Sequence, residues 1–283
     1  MLIPPNHYFY ELEKKKKLGK ILNVDSKFFR NVDSNFFAQS FYQPSSGKKQ
    51  RLLHEPKNNY KRILKRINRL LLLFNIPSHV YSGIPRRSFL DNAMFHRHSS
   101  YVQNIDIQNF FPNTHEHYVF SFFKNKCLMS PDVAKILTLL TTYPDNTQHE
   151  DRSLPQGFPT SNVLSFLAYF DMFNGIHKLA RQKNIHFTIF VDDMTFSSEN
   201  RIPKSFLNQV SSIIRQYGLN VHPHKTKYYG FTQPKSITGA IIDPFSNELK
   251  LPNKIHESIY RNLTAIHNLS IGVEQATLPR GVR

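Results

Sequence analysis

Apolar residues recur at helical spacing between 57 and 74. Tyr60, Ile63, Leu64, Ile67, Leu70, Leu71 and Phe74 fall on one stripe, and Lys57, Lys61, Arg62, Lys65, Arg66 and Arg69 fill the other face. The pattern predicts a helix that buries one side and shows water a row of cations with no acidic residue among them along the helix. Helices are also expected over 114–126, 131–141, 203–217 and 254–269, the second opened by Ser130-Pro131-Asp132 in N-cap order. Val163, Leu164, Phe166, Leu167, Phe170, Met172, Phe173 and Ile176 are apolar nearly all round, which predicts one core helix. The turn Leu154-Pro155-Gln156-Gly157-Phe158-Pro159 leads into it, with Thr160 or Ser161 as cap and free N–H groups at its start.

Two stretches follow a period of two instead. In 101–107, Tyr101, Gln103, Ile105 and Ile107 face one way while Val102, Asn104 and Asp106 face the other. Phe110-Phe111-Pro112 then turns the chain away, and continued alternation would put Phe110 in the core and Phe111 in a cleft. Strand-favouring residues also flank Asp192-Asp193 on both sides, from Phe187 to Val191 and from Met194 to Phe196, so a hairpin is expected with both carboxylates at its tip. Adjacent anions repel, and nothing nearby in the sequence neutralises them; a divalent cation would. An acidic surface hairpin is the plainer reading of that pair taken alone. Shorter strands are expected at 48–53, 228–231, 236–242 and 248–251, with Gly239 in a turn.

Composition narrows the partner. The 283 residues carry a net charge of +17 spread along the chain, which suits a polyanion, most simply nucleic acid. With 40% hydrophobic residues, the chain can build one large core or a few lobes. The single cysteine, Cys127, excludes an internal disulfide framework or a cysteine-rich zinc site and fits a reducing cytoplasm. Residues 1–10 contain no apolar signal-peptide core, and Leu70 to Phe74 is too short to span a bilayer, so no membrane association is expected. The pairs His96/His98, His115/His117 and His222/His224 lack a third ligand at metal-binding spacing and read as hydrogen-bonded or exposed histidines.

In chain order, Asp106 with Phe110-Phe111, then Leu154-Pro155-Gln156-Gly157, Phe190-Val191-Asp192-Asp193 and Lys225-Thr226 resemble the successive motifs of reverse transcriptases. Asn92-Ala93-Met94-Phe95-His96 is similar to the Asn-Ala-x-x-His element of retron reverse transcriptases. Ile237-Thr238-Gly239 resembles their Val-Thr-Gly triplet with one conservative change. Phe190 stands where that family usually has tyrosine, and fewer residues follow Leu251 than its thumb usually occupies.

The resemblance implies an α+β right-hand polymerase. Its N-terminal extension and fingers would cover 1–99. The palm, with its antiparallel sheet, would cover 100–250, with finger-side helices about 114–148, and a short or truncated thumb would cover 251–283. It further implies RNA-directed DNA synthesis with two Mg2+ ions (Mn2+ as an alternative) about 3.5–4 Å apart. Asp106 and Asp192 would be ligands, with Asp193 as a third. Arg51, with Lys48 or Lys49, would clamp the triphosphate; Gln156 and Phe111 would meet the nucleotide; Lys225 would assist the leaving pyrophosphate. Lys61, Arg62, Lys65, Arg66, Arg69, Asn92, His96, Thr238 and Gly239 would contact nucleic acid.

The partners implied are deoxynucleoside triphosphates, a cognate noncoding RNA primed at an internal 2′-hydroxyl, its DNA product, and an effector protein from the same operon in antiphage defence. The alternatives are another bacterial defence or group II intron-like reverse transcriptase, and a catalytically idle RNA-binding module.

Overall fold

A computed structural model describes residues 2–43, 50–144, 152–250 and 253–270. The N-terminal part runs through helices α1 (Lys15–Leu22) and α2 (Val32–Asn35) into strands β1 (Ala38–Gln43) and β2 (Arg51–Pro56). These strands form an antiparallel pair, Ala38 opposite Pro56 and Gln43 opposite Arg51. The expected cationic helix follows as α3 (Asn58–Leu71), burying Tyr60, Ile63, Leu64, Ile67 and Leu71.

Helix α4 (Phe89–Phe95) begins at a capping box in which Ser88 and Asp91 bond each other's backbone N–H. Strand β3 (Tyr101–Asp106) leads to α5 (Phe110–Asn113), α6 (Glu116–Ser121) and α7 (Pro131–Thr141). The short pair β4 (Tyr143–Pro144) and β5 (Arg152–Ser153) precedes α8 (Ser161–Ala168) and α9 (Phe170–Gln182). The hairpin β6 (His186–Phe190) and β7 (Asp193–Ser198) comes next, then α10 (Lys204–Gln216) and β8 (Lys227–Tyr229). Finally β9 (Lys235–Ile237), β10 (Ala240–Ile242) and β11 (Leu249–Lys250) form a small sheet before α11 (Asn253–Ser270).

The central sheet is antiparallel, ordered β6-β7-β3-β8. Alternation along β3 holds as expected. Ile105 and Ile107 join the main core with Phe187, Ile189, Met194 and Phe196, while Val102 joins a second core with Ala93, Ile237, Ala240 and Ile242. Asp106 therefore stands on the face away from the main core.

Four local expectations are corrected. The core helix is two helices, because buried Tyr169 leaves helical geometry (φ −106°, ψ 25°). Its hydroxyl donates to the Asn113 carbonyl at 3.1 Å. Thr160 makes no capping bond, and the Ser161 hydroxyl turns back to the Pro155 carbonyl at 2.7 Å. Phe110 and Phe111 lie on a helical turn, so it is not strand alternation that separates them. The stretch 236–242 is a hairpin rather than one strand.

Candidate active site

The central hairpin displays the carboxylates. Phe190 pairs with Asp193 across a two-residue turn, and Val191 and Asp192 form that turn. Asp192 is thus at the tip, as expected, while Asp193 already belongs to β7 and sits opposite Asp106 on β3. Val191 has φ 61°, a region that β-branched residues rarely enter. Two contacts hold the turn: the Ile107 N–H donates to the Asp192 carbonyl at 3.1 Å, and Val191 packs against the main core.

Asp106 is 6% exposed. Lys225, in the short 3-10 turn Pro223–Lys225, donates to both of its carboxylate oxygens at 3.0 and 2.9 Å. The His222 N–H also donates to the Asp106 carbonyl at 2.8 Å, anchoring that turn beside the strand. Lys225 was expected at the leaving pyrophosphate; in this structure it is the counter-ion of Asp106.

The electrostatics show a shortage of positive charge. Burial, then the charge of Asp106, raises the proton affinity of Asp192; Lys225 and Arg51 oppose the rise. Asp193 is pushed up to about 7 by burial, then by Asp192 and Asp106. Asp193 as a whole residue is nonetheless exposed, so solvent screens part of that push.

Among the described residues, no three His, Cys, Asp or Glu side chains form a ready-made metal cage. The donor chemistry still fits magnesium, which takes a few hard carboxylate oxygens and keeps its waters. Asp106 is close enough to raise the proton affinity of both Asp192 and Asp193, and Lys225 is the cation that pairs directly with it.

Arg51 opens β2, is exposed, and is near enough for Asp192 to feel its charge. The turn holding half-buried Gln156 is bonded to the same strand, its carbonyl accepting the His54 N–H at 2.8 Å. Gly157 makes that approach feasible: its φ is 109°, and a Cβ there would lie 2.6 Å from the His54 carbonyl oxygen. Phe110 is buried, whereas Phe111 is half-buried against the core, its ring 6.1 Å from that of Phe110. Lys48 and Lys49 lie outside the described residues.

The cationic helix is less bare than its sequence suggests. Lys61 pairs with Glu55 of β2 at 3.1 Å, an acidic partner that helical spacing could not reveal. Arg62 bonds Asn59, and Arg66 bonds the Ile21 carbonyl of α1. Lys65 and Arg69 are exposed.

Direct nucleic-acid contact by Asn92 and His96 is also corrected, since both are fully buried. Asn92 donates to Thr238 Oγ1 at 3.3 Å; His96 lies 2.7 Å from both Ser197 Oγ and Thr188 Oγ1. Thr238 and Gly239 form the turn between β9 and β10. They line a cavity of about 270 Å³ with Asn104, Phe190, Asp193 and Lys225, among others. Asn104 joins the site from the face of β3 on which strand alternation also places Asp106, and its sequence carries no other signal of that role.

A family model described as reverse transcriptase (RNA-dependent DNA polymerase) matches residues 43–242. The chain belongs to the reverse transcriptase family. Its curated relatives include the Retron Se72 reverse transcriptase of Salmonella heidelberg, 27% identical over 67% of this chain and 50% of that protein. The Retron Mx162 reverse transcriptase of Myxococcus xanthus is 24% identical over 93% of this chain and 60% of that protein. This reverse transcriptase thus spans about half to three-fifths of the length of the relatives it matches.

Among solved structures, apo telomerase from Candida tropicalis truncated from its C-terminal domain superposes with a TM-score of 0.54 at 13% identity, over 76% of this chain and 55% of that one. That likeness concerns the fold, and it bears out the right-hand polymerase architecture with its antiparallel palm sheet.

Proposed function

We propose that this reverse transcriptase is a retron enzyme: an RNA-directed DNA polymerase that copies a cognate structured noncoding RNA, starting from an internal 2′-hydroxyl. The observation that carries the reading is the meeting of Asp106, Asp192 and Asp193 at one end of the palm sheet, where Asp106 raises the proton affinity of Asp192 and both raise that of Asp193. An idle RNA-binding module would gain nothing from three carboxylates whose repulsion burial strengthens. The retron names of the curated relatives, together with Asn92, His96 and Thr238, favour a retron over another bacterial reverse transcriptase.

Residues 1–99 would serve as N-terminal extension and fingers, 100–250 as palm, and 251–283 as a short or truncated thumb. Asp106 and Asp192 would hold divalent cations, with Asp193 beside them. Mg2+ (or Mn2+) bound there would lower the charge barrier between an attacking hydroxyl and a triphosphate. Arg51, with Lys48 and Lys49, would grip the triphosphate, and Gln156 would lie against the nucleotide. Phe111 would pack against its sugar, where a ring leaves no hydrogen bond for a 2′-hydroxyl. Lys225 supplies the cation nearest the reacting carboxylates. Lys65 and Arg69 would follow phosphates, with Lys61, Arg62 and Arg66 adding to the field. Cytoplasmic antiphage defence with an effector protein follows from the same retron reading. No helix among the described residues is long and apolar enough to cross a membrane.

The deciding experiment adds labelled deoxynucleotides and Mg2+ to the chain with its co-purified RNA. DNA joined covalently to RNA, and lost in Asp106→Asn, is expected. A requirement for an external primer would point to another reverse transcriptase, and RNA retained without incorporation would leave the binding module.

A further inference from the structure

Helix α4 touches both hairpins through hydrogen bonds that each involve a side chain of the hairpin. At its C-terminal end His96 is wedged under the β6–β7 hairpin, 2.7 Å from Thr188 Oγ1 on one strand and 2.7 Å from Ser197 Oγ on the other. Thr188 lies four residues before Asp192 and Ser197 four after Asp193, so the imidazole crosses beneath the strands that carry the carboxylates. Burial, reinforced by His186, holds His96 down at about 3, so the ring is neutral. A neutral imidazole has one N–H donor and one acceptor nitrogen, and two hydroxyls that can each donate or accept satisfy both.

One turn earlier, Asn92 donates to Thr238 Oγ1 at 3.3 Å, and the Thr238 hydroxyl donates to the Phe89 carbonyl at 3.1 Å. Between these two attachments, Ala93 packs into the second core with Val102, Ile237, Ala240 and Ile242.

Thr238 is not suited to its turn. Its φ is 45° and that of Gly239 is 93°, both positive, as in the two-residue hairpin turn where Asn-Gly is the usual pair. A β-branched residue is disfavoured in that region. What threonine brings is the hydroxyl that reaches α4. The apolar contacts alone would hold helix and hairpin together. Directional hydrogen bonds add a fixed distance and orientation.

We propose that α4 is a clamp that sets the spacing of the β6–β7 and β9–β10 hairpins across the cavity beside Asp193, with Asn92, His96 and Thr238 as positioning residues for nucleotide transfer. The cavity of about 270 Å³ is lined by Asp193 and Lys225 together with Thr238 and Gly239, so a shift of the β9–β10 tip changes what can sit against Asp193. Arg51 and Gln156 belong to a different rim, built on β2 and the turn before α8, and do not depend on the clamp. The kinetic part of the proposal rests on the polymerase reading above.

The test compares Thr238→Val, which keeps the shape and removes the hydroxyl, with Thr238→Ser, which restores it. Rates are normalised to the burst amplitude so that unfolded molecules do not count. Thr238→Val should lower the per-site kcat by about tenfold or more, as misplacement of a reacting group does, with the KM for deoxynucleotide unchanged. Thr238→Ser should recover most of the loss. Should Thr238→Val fold poorly, Asn92→Leu removes the same bond from the helix side and should show the same kinetic split. The double variant should then be no worse than Thr238→Val, in which the Asn92 bond is already gone.

A fall in burst amplitude or melting temperature with an unchanged per-site rate would reduce the clamp to ordinary packing and overturn the proposal. The polymerase reading is judged separately by wild-type incorporation and its loss in Asp106→Asn. Should the wild type incorporate nothing, the kinetic claim falls with that reading. Hydrogen exchange still decides the clamp: Thr238→Val must speed exchange in β6–β7 as well as in β9–β10, and a change confined to β9–β10 would sink it.

Discussion

The two palm hairpins are built alike and held differently. Each turns over two residues, and each places a β-branched residue at positive φ, Val191 at 61° and Thr238 at 45°. At the second tip the side chain offsets the strain by bonding to α4, and Gly239 takes the other positive φ. At the first tip no side-chain bond from Val191 does so; core packing and the Ile107-to-Asp192 backbone bond hold it. That tip also carries the carboxylates whose proton affinities are raised. Strain and unneutralised charge thus coincide at one hairpin, while its neighbour is fully braced. Strain of this kind persists only where the surroundings over-determine it, and it concentrates at working sites.

The largest expected contrast is in activity. Asp192→Asn should lower incorporation by roughly 10³-fold or more, since a bound cation contributes several kcal/mol of transition-state stabilisation. The same substitution should raise the melting temperature of metal-free protein, because it removes one of the mutually repelling anions. Thr238→Val should do neither: its kinetic loss is about two orders of magnitude smaller. Single-turnover rates and thermal melts of the two variants, side by side, check the contrast; an Asp192→Asn protein within a few-fold of wild type would dissolve it.

Stability against pH should also separate the tips. Asp193 has a folded-state pKa of about 7, above its ordinary value of 3.8. The folded protein therefore binds this proton more tightly than the unfolded chain does. Its contribution is complete below about 4 and is lost as pH rises through about 7. Relative to the Asp193→Asn variant, metal-free wild-type protein should lose stability across that window. Magnesium, which needs the ionised carboxylates, should stabilise more at pH 8 than at pH 6, with Asp106→Asn abolishing the difference. His96 is held at about 3 against its ordinary 6.5, so it works with the opposite sign: the unfolded chain takes up its proton first, and the braced hairpin loses stability as pH falls below about 6.5.

A smaller effect is expected at Gly239. A Cβ there meets nothing within 4 Å, so Gly239→Ala tests conformation without a clash. With φ at 93°, the alanine should destabilise by more than about 1 kcal/mol in denaturant unfolding. An unchanged midpoint would mean that the tip can relax, contrary to its being braced.

Much of this contrast was legible in the sequence, and what was not has a physical cause. The period of two along 101–107 and the carboxylate pair between strand-favouring residues are local patterns, and both strands formed in the expected register of faces. The cationic helix was legible for the same reason. The pairing of Lys61 with Glu55 was not, because its partner lies on a strand six residues earlier and outside the helical period. Asn92 and His96 were expected at a nucleic-acid surface, yet they bond residues 146 and 92 to 101 positions away. Contacts that distant leave no trace in local spacing. The break at Tyr169 was hidden in a continuous apolar run, since an all-round apolar pattern has no face whose phase could shift.

The smallest effect expected is the most direct comparison of the tips. Glycine accepts positive φ freely, so Val191→Gly and Thr238→Gly both relieve about 1–2 kcal/mol of backbone strain. Both also add unfolded-state entropy, which offsets roughly 0.5–1 kcal/mol of that relief. The remainder differs. Val191 loses partly buried methyl groups, about 1 kcal/mol of burial, so its variant should end within about 1 kcal/mol of wild type. Thr238 loses two hydroxyl bonds and leaves the buried Asn92 amide without its partner, at about 1 kcal/mol per bond and 1–3 kcal/mol for the stranded group. Its variant should therefore be clearly the less stable of the two, and urea unfolding of the pair measures the difference without reference to activity. Equal midpoints would mean that the Thr238 hydroxyl holds nothing that Val191 lacks, and the two hairpins would then differ only in charge.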